Sequence, residues 1–228
     1  MPLDPSSDTL ISALTNLPEF AHGRVRDIRI RWALEEMGRS YRVETFDAMA
    51  ERPAPYWQWQ PFGQVPAFND GTVRLFESGA ILLYLGEQDE HLLPRAPQAR
   101  ADTTAWLIAA LNSVEPGIMQ IATLDFFQAD QPWAAEARPS AVEFAQARLR
   151  RVSEALGGKE WLTGHFSIAD IMMVTVLRNI SHTDIVGGFP NLAAYQARGE
   201  QRPAFKQALI DQAAGFALPA TAEAGLTA

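Results

Sequence analysis

The chain has 228 residues, of which 47% are hydrophobic and 20% charged, which suits one large soluble domain or two small ones. A net charge of −8 argues against a nucleic-acid partner, because an acidic surface repels phosphates. The absence of cysteine excludes disulfides, thiolate nucleophiles and cysteine–zinc sites. The first residues do not resemble a signal peptide, and no apolar run reaches the roughly 18 residues of a membrane span. We therefore expect a cytoplasmic protein without a membrane partner.

The first part of the chain alternates strand and helix patterns. The short apolar run 10–14 predicts a buried strand. Apolar residues three and four positions apart predict a helix over 24–37 that ends at Gly38, and 41–46 predicts a second strand. A strand, a helix and a strand in that order imply a parallel pair with a right-handed crossover. The segment 52–61, rich in proline and tryptophan, is interpreted as a connection.

Two short strands and a buried helix follow this connection. Strands over 65–68 and 73–76 flank the hairpin turn Asn69-Asp70-Gly71. Ser78 is expected to cap a helix over 79–85 that is apolar on nearly every side. The segment 1–88 is therefore predicted to form an α/β domain on a four-stranded mixed sheet.

The remaining chain has only helical patterns. A linker over 89–97 leads into an all-α domain over 98–228, in which Pro116-Gly117 is expected to end the first helix. Ser167 and Asp170 have the spacing of a capping box. The tail after Phe216 is low in complexity and is expected to be mobile. Helices are predicted over 98–115, 141–156, 168–177, 192–198 and 204–213.

Two neighbouring features suggest a cradle for an α-amino acid. Pro66 opens a short strand and is a residue type that accommodates a cis peptide bond, which would turn the backbone N–H and C=O of Val65 outward. Ser78 at a helix N-terminus suits a carboxylate, and Glu77 beside it suits an ammonium group. The alternative is structural: Ser78 acts only as a helix cap and Pro66 only as an edge proline.

These segments resemble the glutathione-binding core of cytosolic glutathione transferases of the bacterial type. The resemblance rests on Gln64 to Gly71 and on Leu75 to Leu85. Arg31 to Gly38 is similar to the family's first helix, and Phe166 to Ile171 to the capped core helix of its second domain. It implies a thioredoxin-like N-terminal domain, an all-helical C-terminal domain and a homodimer.

The resemblance also implies the roles of individual residues. Glutathione would be the co-substrate, with Val65, preceding Pro66, pairing with its cysteinyl backbone. Glu77 and Ser78 would hold its γ-glutamyl end, and Gln64 lies beside them. The four histidines lack the spacing of metal ligands, so we expect no metal.

The sequence does not identify the residue that activates the glutathione thiol. The family uses Tyr, Ser or Cys just after the first strand, but the loop 15–24 contains none of these. Alignment from the strand selects Thr15 or Asn16, and alignment from the helix selects Arg24. Backbone N–H groups at the helix start are the remaining alternative. The arginines of this helix are interpreted as a solvated face.

The second substrate is expected to be a small hydrophobic electrophile, bound between the early loop and the long helix of the second domain. Val114, Ile118 and Met119 are placed to line such a pocket, or to be ordinary core residues. The predicted activity is transfer of the glutathione thiolate to an electrophile, or reduction of an organic peroxide. A non-catalytic carrier or protein-interaction module of the same fold is the alternative. Cysteine-dependent members of the family are disfavoured.

Overall fold

A computed structural model describes residues 3–216 of the chain. By their contacts the residues form two compact units: the first takes the chain up to Asp89 and again from Arg202 onward, and the second takes Glu90–Gln201. The predicted division at 89–97 assigns the last helix to the second domain, whereas its contacts group it with the first unit. The tail after Phe216, expected to be mobile, lies outside the described residues.

The first unit contains a four-stranded sheet in the order β2-β1-β3-β4. β1 and β2 are parallel, and β3 is antiparallel to both β1 and β4. This arrangement confirms the predicted mixed sheet, with a crossover helix between β1 and β2 and a hairpin between β3 and β4. The strands are β1 (Leu10–Thr15), β2 (Arg42–Asp47), β3 (Ala67–Asn69) and β4 (Arg74–Phe76).

The helices of the described residues follow the predicted order, but the sequence indicated neither the short helix within the connection 52–61 nor the helix over 115–126. The first unit holds three helices before residue 90 and the last one, and the second unit holds the others. The helices are α1 (Asp27–Met37), α2 (Ala54–Trp59), α3 (Ser78–Gly86), α4 (Pro97–Ala109), α5 (Glu115–Phe126), α6 (Ala134–Leu156), α7 (Ile168–Arg178), α8 (Pro190–Glu200) and α9 (Pro203–Phe216).

The crossover helix α1 ends where the sequence predicts and is held by α9. Gly38 has a φ of 63° and follows the last helical residue, as expected of a left-handed cap. On α9, Phe205 packs edge-on against Trp32, with ring centroids 4.7 Å apart. The amide of Gln212 donates to Asp27 Oδ1 over 2.7 Å. Helix α9 therefore fixes the N-terminal end of α1, which borders the loop after β1.

The predicted helix end at Pro116-Gly117 is wrong. A five-residue π-helical segment, Ala110–Val114, joins α4 to α5, and Pro116 lies in the first turn of α5. Pro116 lacks the N–H that would continue the helical hydrogen bonds, and the π-helical segment, in which the hydrogen-bond pattern changes, ends two residues before it at Val114. A Cβ on Gly117 would lie 2.9 Å from the Phe144 ring, so glycine allows α6 to pack closely against α5.

The continuous helical run Pro97–Phe126 is long and apolar enough, by composition alone, to cross a membrane. This segment was not expected, because the sequence contains no uninterrupted apolar run of about 18 residues. Half of the most apolar window is buried inside the protein, as in the core helix of a globular unit.

The second unit contains the predicted capping box at the start of α7. Ser167 Oγ accepts the N–H of Ala169, and Asp170 Oδ2 accepts the N–H of Ser167. Asp170 Oδ1 also accepts the N–H of Leu162 and the hydroxyl of Tyr195. The buried carboxylate is thus fully hydrogen-bonded, which makes its burial tolerable.

Candidate functional site

The segment between α2 and β3 presents free backbone groups. The Val65–Pro66 peptide bond is cis, and β3 begins directly afterwards at Ala67. Within residues 3–216, neither the N–H nor the C=O of Val65 forms a hydrogen bond. Backbone groups normally find partners in a folded protein. An extended, peptide-like ligand could supply both partners here.

A chain of buried hydroxyl groups holds this segment. Ser12 Oγ on β1 accepts the N–H of Ala67 over 2.7 Å and lies 2.7 Å from the Tyr56 hydroxyl on α2. The Tyr56 hydroxyl donates to the carbonyl oxygen of Gln64 over 2.5 Å. Because the Tyr56 proton is used there, Ser12 is the donor to Tyr56. No local pattern in the sequence identifies either hydroxyl, since their contact depends on how α2 packs on the sheet.

The N-terminus of α3 lies at the end of β4 and carries the second pair of predicted residues. Ser78 is the first helical residue and Glu77 is the cap, so the prediction that Ser78 caps the helix is off by one residue. Glu77 has a φ of 69°, a region that non-glycine residues rarely adopt. Its exposed carboxylate forms no hydrogen bond or ion pair within the described part of the chain.

A buried arginine lies behind Ser78. Arg29 on α1 is 1% exposed, and its Nη1 donates to Ser78 Oγ over 3.0 Å. Arg31 is equally buried and pairs with Asp27 over 2.7 Å. The prediction of a solvated face is therefore wrong for these two arginines, because α1 is covered on several sides. A guanidinium close to a helix N-terminus strengthens the attraction of that end for an anion.

The three candidate thiol-activating residues contact different partners. The Thr15 hydroxyl is buried and lies 3.5 Å from the carbonyl oxygen of Phe46. Asn16, exposed and with a φ of 53°, directs its amide to Asp47 over 3.2 Å. Arg24 donates to the carbonyl oxygen of Phe20. The same amide nitrogen lies 3.4 Å from the second Asp47 carboxylate oxygen, and Asn16 is the candidate whose side chain is exposed at the end of β1.

The predicted electrophile-binding residues are mostly core. Val114 and Ile118 are buried and Met119 is half-buried, which favours the alternative that they are packing residues. An open groove of about 470 Å³ in the second unit is lined instead by residues 182–185 and one face of α6, including Arg138. Arg138 and His182 both contact Asp125, over 2.6 and 3.0 Å. The lining of this groove includes charged and polar side chains and none of the three predicted residues.

Residues 3–216 contain no group of three or more His, Asp or Glu side chains placed to hold a metal ion. The polar groups described above instead suit an organic ligand. They offer a free backbone pair at Val65, a carboxylate at Glu77 and an anion-attracting helix end at Ser78. These are complementary to a peptide that carries an α-amino acid end.

Comparisons with known proteins agree with this geometry. Residues 20–87 match the family profile of the glutathione S-transferase N-terminal domain, and residues 118–210 match that of the C-terminal domain. The chain is 29% identical to glutathione S-transferase F14 of Arabidopsis thaliana over 165 residues, 66% of this chain and 64% of that protein. It is 30% identical to the disulfide-bond oxidoreductase YfcG of Escherichia coli K12 over 198 residues, 80% of this chain and 89% of that protein.

Among solved structures, a glutathione transferase family member from Pseudomonas fluorescens Pf-5, with two glutathione bound, has a TM-score of 0.77. It is 24% identical, and the match covers 88% of this chain and 92% of that one. At this level of sequence identity, the similarity is evidence for the fold alone.

Proposed function

The chain belongs to the glutathione S-transferase family, and on that premise we propose that it conjugates the glutathione thiolate to a hydrophobic electrophile or uses it to reduce an organic peroxide. The observation that carries the proposal is the arrangement around Val65 and Ser78. A free backbone pair lies in the same unit as a helix N-terminus that has a buried arginine behind it. A γ-glutamyl peptide needs both features.

In the proposed complex, Val65 pairs through its N–H and C=O with the cysteinyl residue of glutathione. The exposed Glu77 carboxylate takes the γ-glutamyl ammonium group, and the Ser78 hydroxyl and the free N–H groups of α3 take the carboxylate. Arg29 adds positive charge behind Ser78. Gln64 flanks the cysteinyl contact, and Pro66 fixes the direction in which the chain enters β3.

For the thiol we propose Asn16 as the hydrogen-bond donor. Its side chain is exposed, whereas the Thr15 hydroxyl is 3% exposed and Arg24 donates to the Phe20 carbonyl. A hydrogen bond to the thiolate favours the charged form and lowers the thiol pKa. A thiolate formed near neutral pH is the nucleophile that conjugation requires.

The first test is titration of glutathione into the purified protein by calorimetry, together with the absorbance of the bound thiolate as a function of pH. Conjugation predicts saturable binding and a thiol pKa clearly below that of free glutathione. Binding with an unchanged thiol pKa would favour the non-catalytic carrier instead. Failure to bind glutathione would overturn the proposal.

The second substrate, the assembly and the location are parts of the same proposal. We propose a hydrophobic electrophile, a homodimer and a cytoplasmic location. Of Val114, Ile118 and Met119, the half-buried Met119 is the residue that we propose to contact the electrophile, since the other two are buried. A screen of electrophiles and peroxides tests the substrate class. Sedimentation equilibrium tests the dimer, which predicts twice the chain mass of 25.1 kDa.

A second candidate activity is glutathione-dependent reduction of a disulfide, favoured by the 30% identity with the E. coli oxidoreductase. Since the chain has no cysteine, the exchange would use two glutathione molecules. One thiolate attacks the disulfide and releases a thiolate, and the second resolves the mixed disulfide to give oxidised glutathione and the second thiol. Coupled assays with a small disulfide, compared with electrophile conjugation, distinguish the two activities.

A further inference from the structure

The hydroxyl chain beneath the candidate glutathione site has two ends, and both lie next to Val65-Pro66. On one side the Tyr56 hydroxyl holds the Gln64 carbonyl oxygen, and on the other Ser12 Oγ holds the Ala67 N–H. The two hydroxyls are joined to each other over 2.7 Å. The segment that presents the free N–H and C=O of Val65 is therefore held at both flanks by one hydrogen-bonded unit.

Packing alone does not explain these hydroxyl groups. The Tyr56 ring packs against Phe46 and Trp59, with centroids 4.4 and 5.9 Å away, and a phenylalanine ring would make the same contacts. The side chains of Ser12 and Tyr56 are both completely buried. A buried hydroxyl is costly unless hydrogen-bonded, and here each one is used to connect the sheet and α2 to the loop.

The donor and the acceptor of each hydrogen bond in this chain of hydroxyl groups are determined. Ala67 donates to Ser12, Ser12 donates to Tyr56, and Tyr56 donates to Gln64. Burial raises the pKa of Tyr56 to about 12, so its hydroxyl stays a donor at neutral pH. Each hydroxyl has one acceptor for its proton, and the arrangement has no alternative that keeps both flanks bonded.

We propose that Ser12 and Tyr56 are positioning residues for glutathione: they fix the backbone of Val65 in the orientation that pairs with the cysteinyl residue. This rests on the proposed function. It adds to that function two residues which do not touch the ligand and which act only through the Gln64 carbonyl and the Ala67 N–H. Substitution of these two residues should therefore change the affinity for glutathione and leave the pKa of its thiol unchanged.

The test compares Tyr56→Phe, Ser12→Ala and the double variant with the wild type by calorimetric titration of glutathione and by steady-state kinetics. Tyr56→Phe is expected to weaken glutathione binding about tenfold, because the flank released from its hydrogen bond to Tyr56 must be ordered again when glutathione binds. Ser12→Ala removes the acceptor of the Ala67 N–H and the donor to Tyr56, and should weaken binding about as much. The double variant frees both flanks and should bind more weakly than either single variant, but by less than the product of the two losses, because the two hydroxyls are bonded to each other.

The kinetic signature separates positioning from general loosening. Positioning raises the KM for glutathione while kcat and the pKa of the bound thiol stay at wild-type values. A merely structural role lowers the active fraction, and therefore kcat, without changing KM. Tyr195→Phe is the matched control: it removes an equally buried hydroxyl, which donates to Asp170 over 2.9 Å in the second unit, and should leave glutathione affinity unchanged.

Three outcomes overturn the inference. Wild-type affinity in Tyr56→Phe would show that the Gln64 hydrogen bond does not serve binding, and this holds even if Ser12→Ala fails to fold. Equal weakening in Tyr195→Phe would show general loosening. If the wild type itself binds no glutathione, the proposed function fails and the inference with it, a result read from the wild type alone.

Discussion

The two regions that would meet glutathione are built very differently. The holding region comprises residues 64–66, Glu77 and Ser78, and it is anchored to buried groups on β1, α1 and α2. The loop 15–24 carries the thiol-activating candidates, and its own donors are directed to Phe46, Asp47 and Phe20. Under the proposed function, glutathione binding is supported by the core, whereas thiol activation depends on an exposed loop.

This difference would allow the proposed glutathione site to be kept while the loop that activates the thiol varies. Groups fixed by buried hydrogen bonds cannot shift without disturbing the sheet, so the proposed glutathione contacts are constrained. A loop at the surface tolerates insertion and substitution, as the loop 15–24 illustrates by lacking Tyr, Ser and Cys.

The largest effect is expected from removing both γ-glutamyl contacts. Glu77→Ala combined with Ser78→Ala deletes the carboxylate for the ammonium group and the hydroxyl for the carboxylate, and should weaken glutathione binding by at least about 100-fold. Calorimetry measures the affinity, and circular dichroism checks the fold. Glu87→Gln, at the other end of α3, is the control for a change of charge. Unchanged affinity in the double variant would refute the site assignment.

Loss of the buried guanidinium should have the next largest effect. Arg29→Met removes the charge behind Ser78 and its 3.0 Å hydrogen bond. We expect about tenfold weaker glutathione binding, measured by calorimetry at low and high salt. Arg31→Met, an equally buried arginine that pairs with Asp27, is the comparison. If both variants lose affinity equally, the charge at α3 has no specific role.

In the loop, Asn16 and Thr15 should behave differently. Asn16→Ala removes the exposed amide and is expected to raise the pKa of the bound thiol and lower kcat/KM about tenfold. Thr15→Val, which removes a buried hydroxyl of similar size, should leave the thiol pKa unchanged. Thiolate absorbance against pH measures both. The opposite result would assign thiol activation to Thr15. If neither variant changes the thiol pKa, the backbone N–H groups at the start of α1 remain as candidates.

The holding region also stores backbone strain at Glu77, whose φ is 69° and ψ 114°. Glu77→Gly relieves that strain and should raise the free energy of unfolding by about 1 kcal/mol, since glycine adopts such angles freely. Glu77→Gln keeps the strain and should match the wild type in stability. Both variants lose the carboxylate and should bind glutathione weakly. Urea unfolding measures the difference, and equal stability of the two variants would contradict the strain argument.

The smallest effect is expected on the pH dependence of stability and concerns Glu35 on α1, the helix that follows the loop 15–24 and carries Arg29. Burial, helped by the neighbouring Asp211 on α9, raises the pKa of Glu35 to about 7, from an ordinary value of 4.5. The folded state therefore holds a proton that the unfolded chain has already lost between these pH values. This contribution to the free energy of unfolding is complete below about pH 4.5 and is lost as the pH rises through 7.

Glu35→Gln should remove that part of the pH dependence. The variant is expected to show a flatter stability profile than the wild type between pH 5 and about 8, measured by urea unfolding at several pH values. An identical profile in the two proteins would show that Glu35 does not titrate in this range.

The local patterns of the sequence determined much of the architecture. The apolar spacing of α1 and the glycine after it, the Asn69-Asp70-Gly71 turn and the capping box at Ser167 are short-range signals, and the structure confirms them. The family motifs around 64–78 were equally readable, because a strand, a turn and a helix start lie within about one supersecondary unit. Local chemistry is sufficient wherever the interacting groups are close along the chain.

Only the tertiary structure decided which distant groups meet. Ser12 and Tyr56 are 44 residues apart, Arg29 and Ser78 are 49 apart, and Gln212 reaches Asp27 from the last helix. The helix through Pro116 also depended on a π-helical segment that the residue pattern did not reveal. Burial changes what a polar residue does. An arginine or hydroxyl group that would be solvated at the surface needs a hydrogen-bond partner once it is buried, and it then acts as a fixed donor that orients the site.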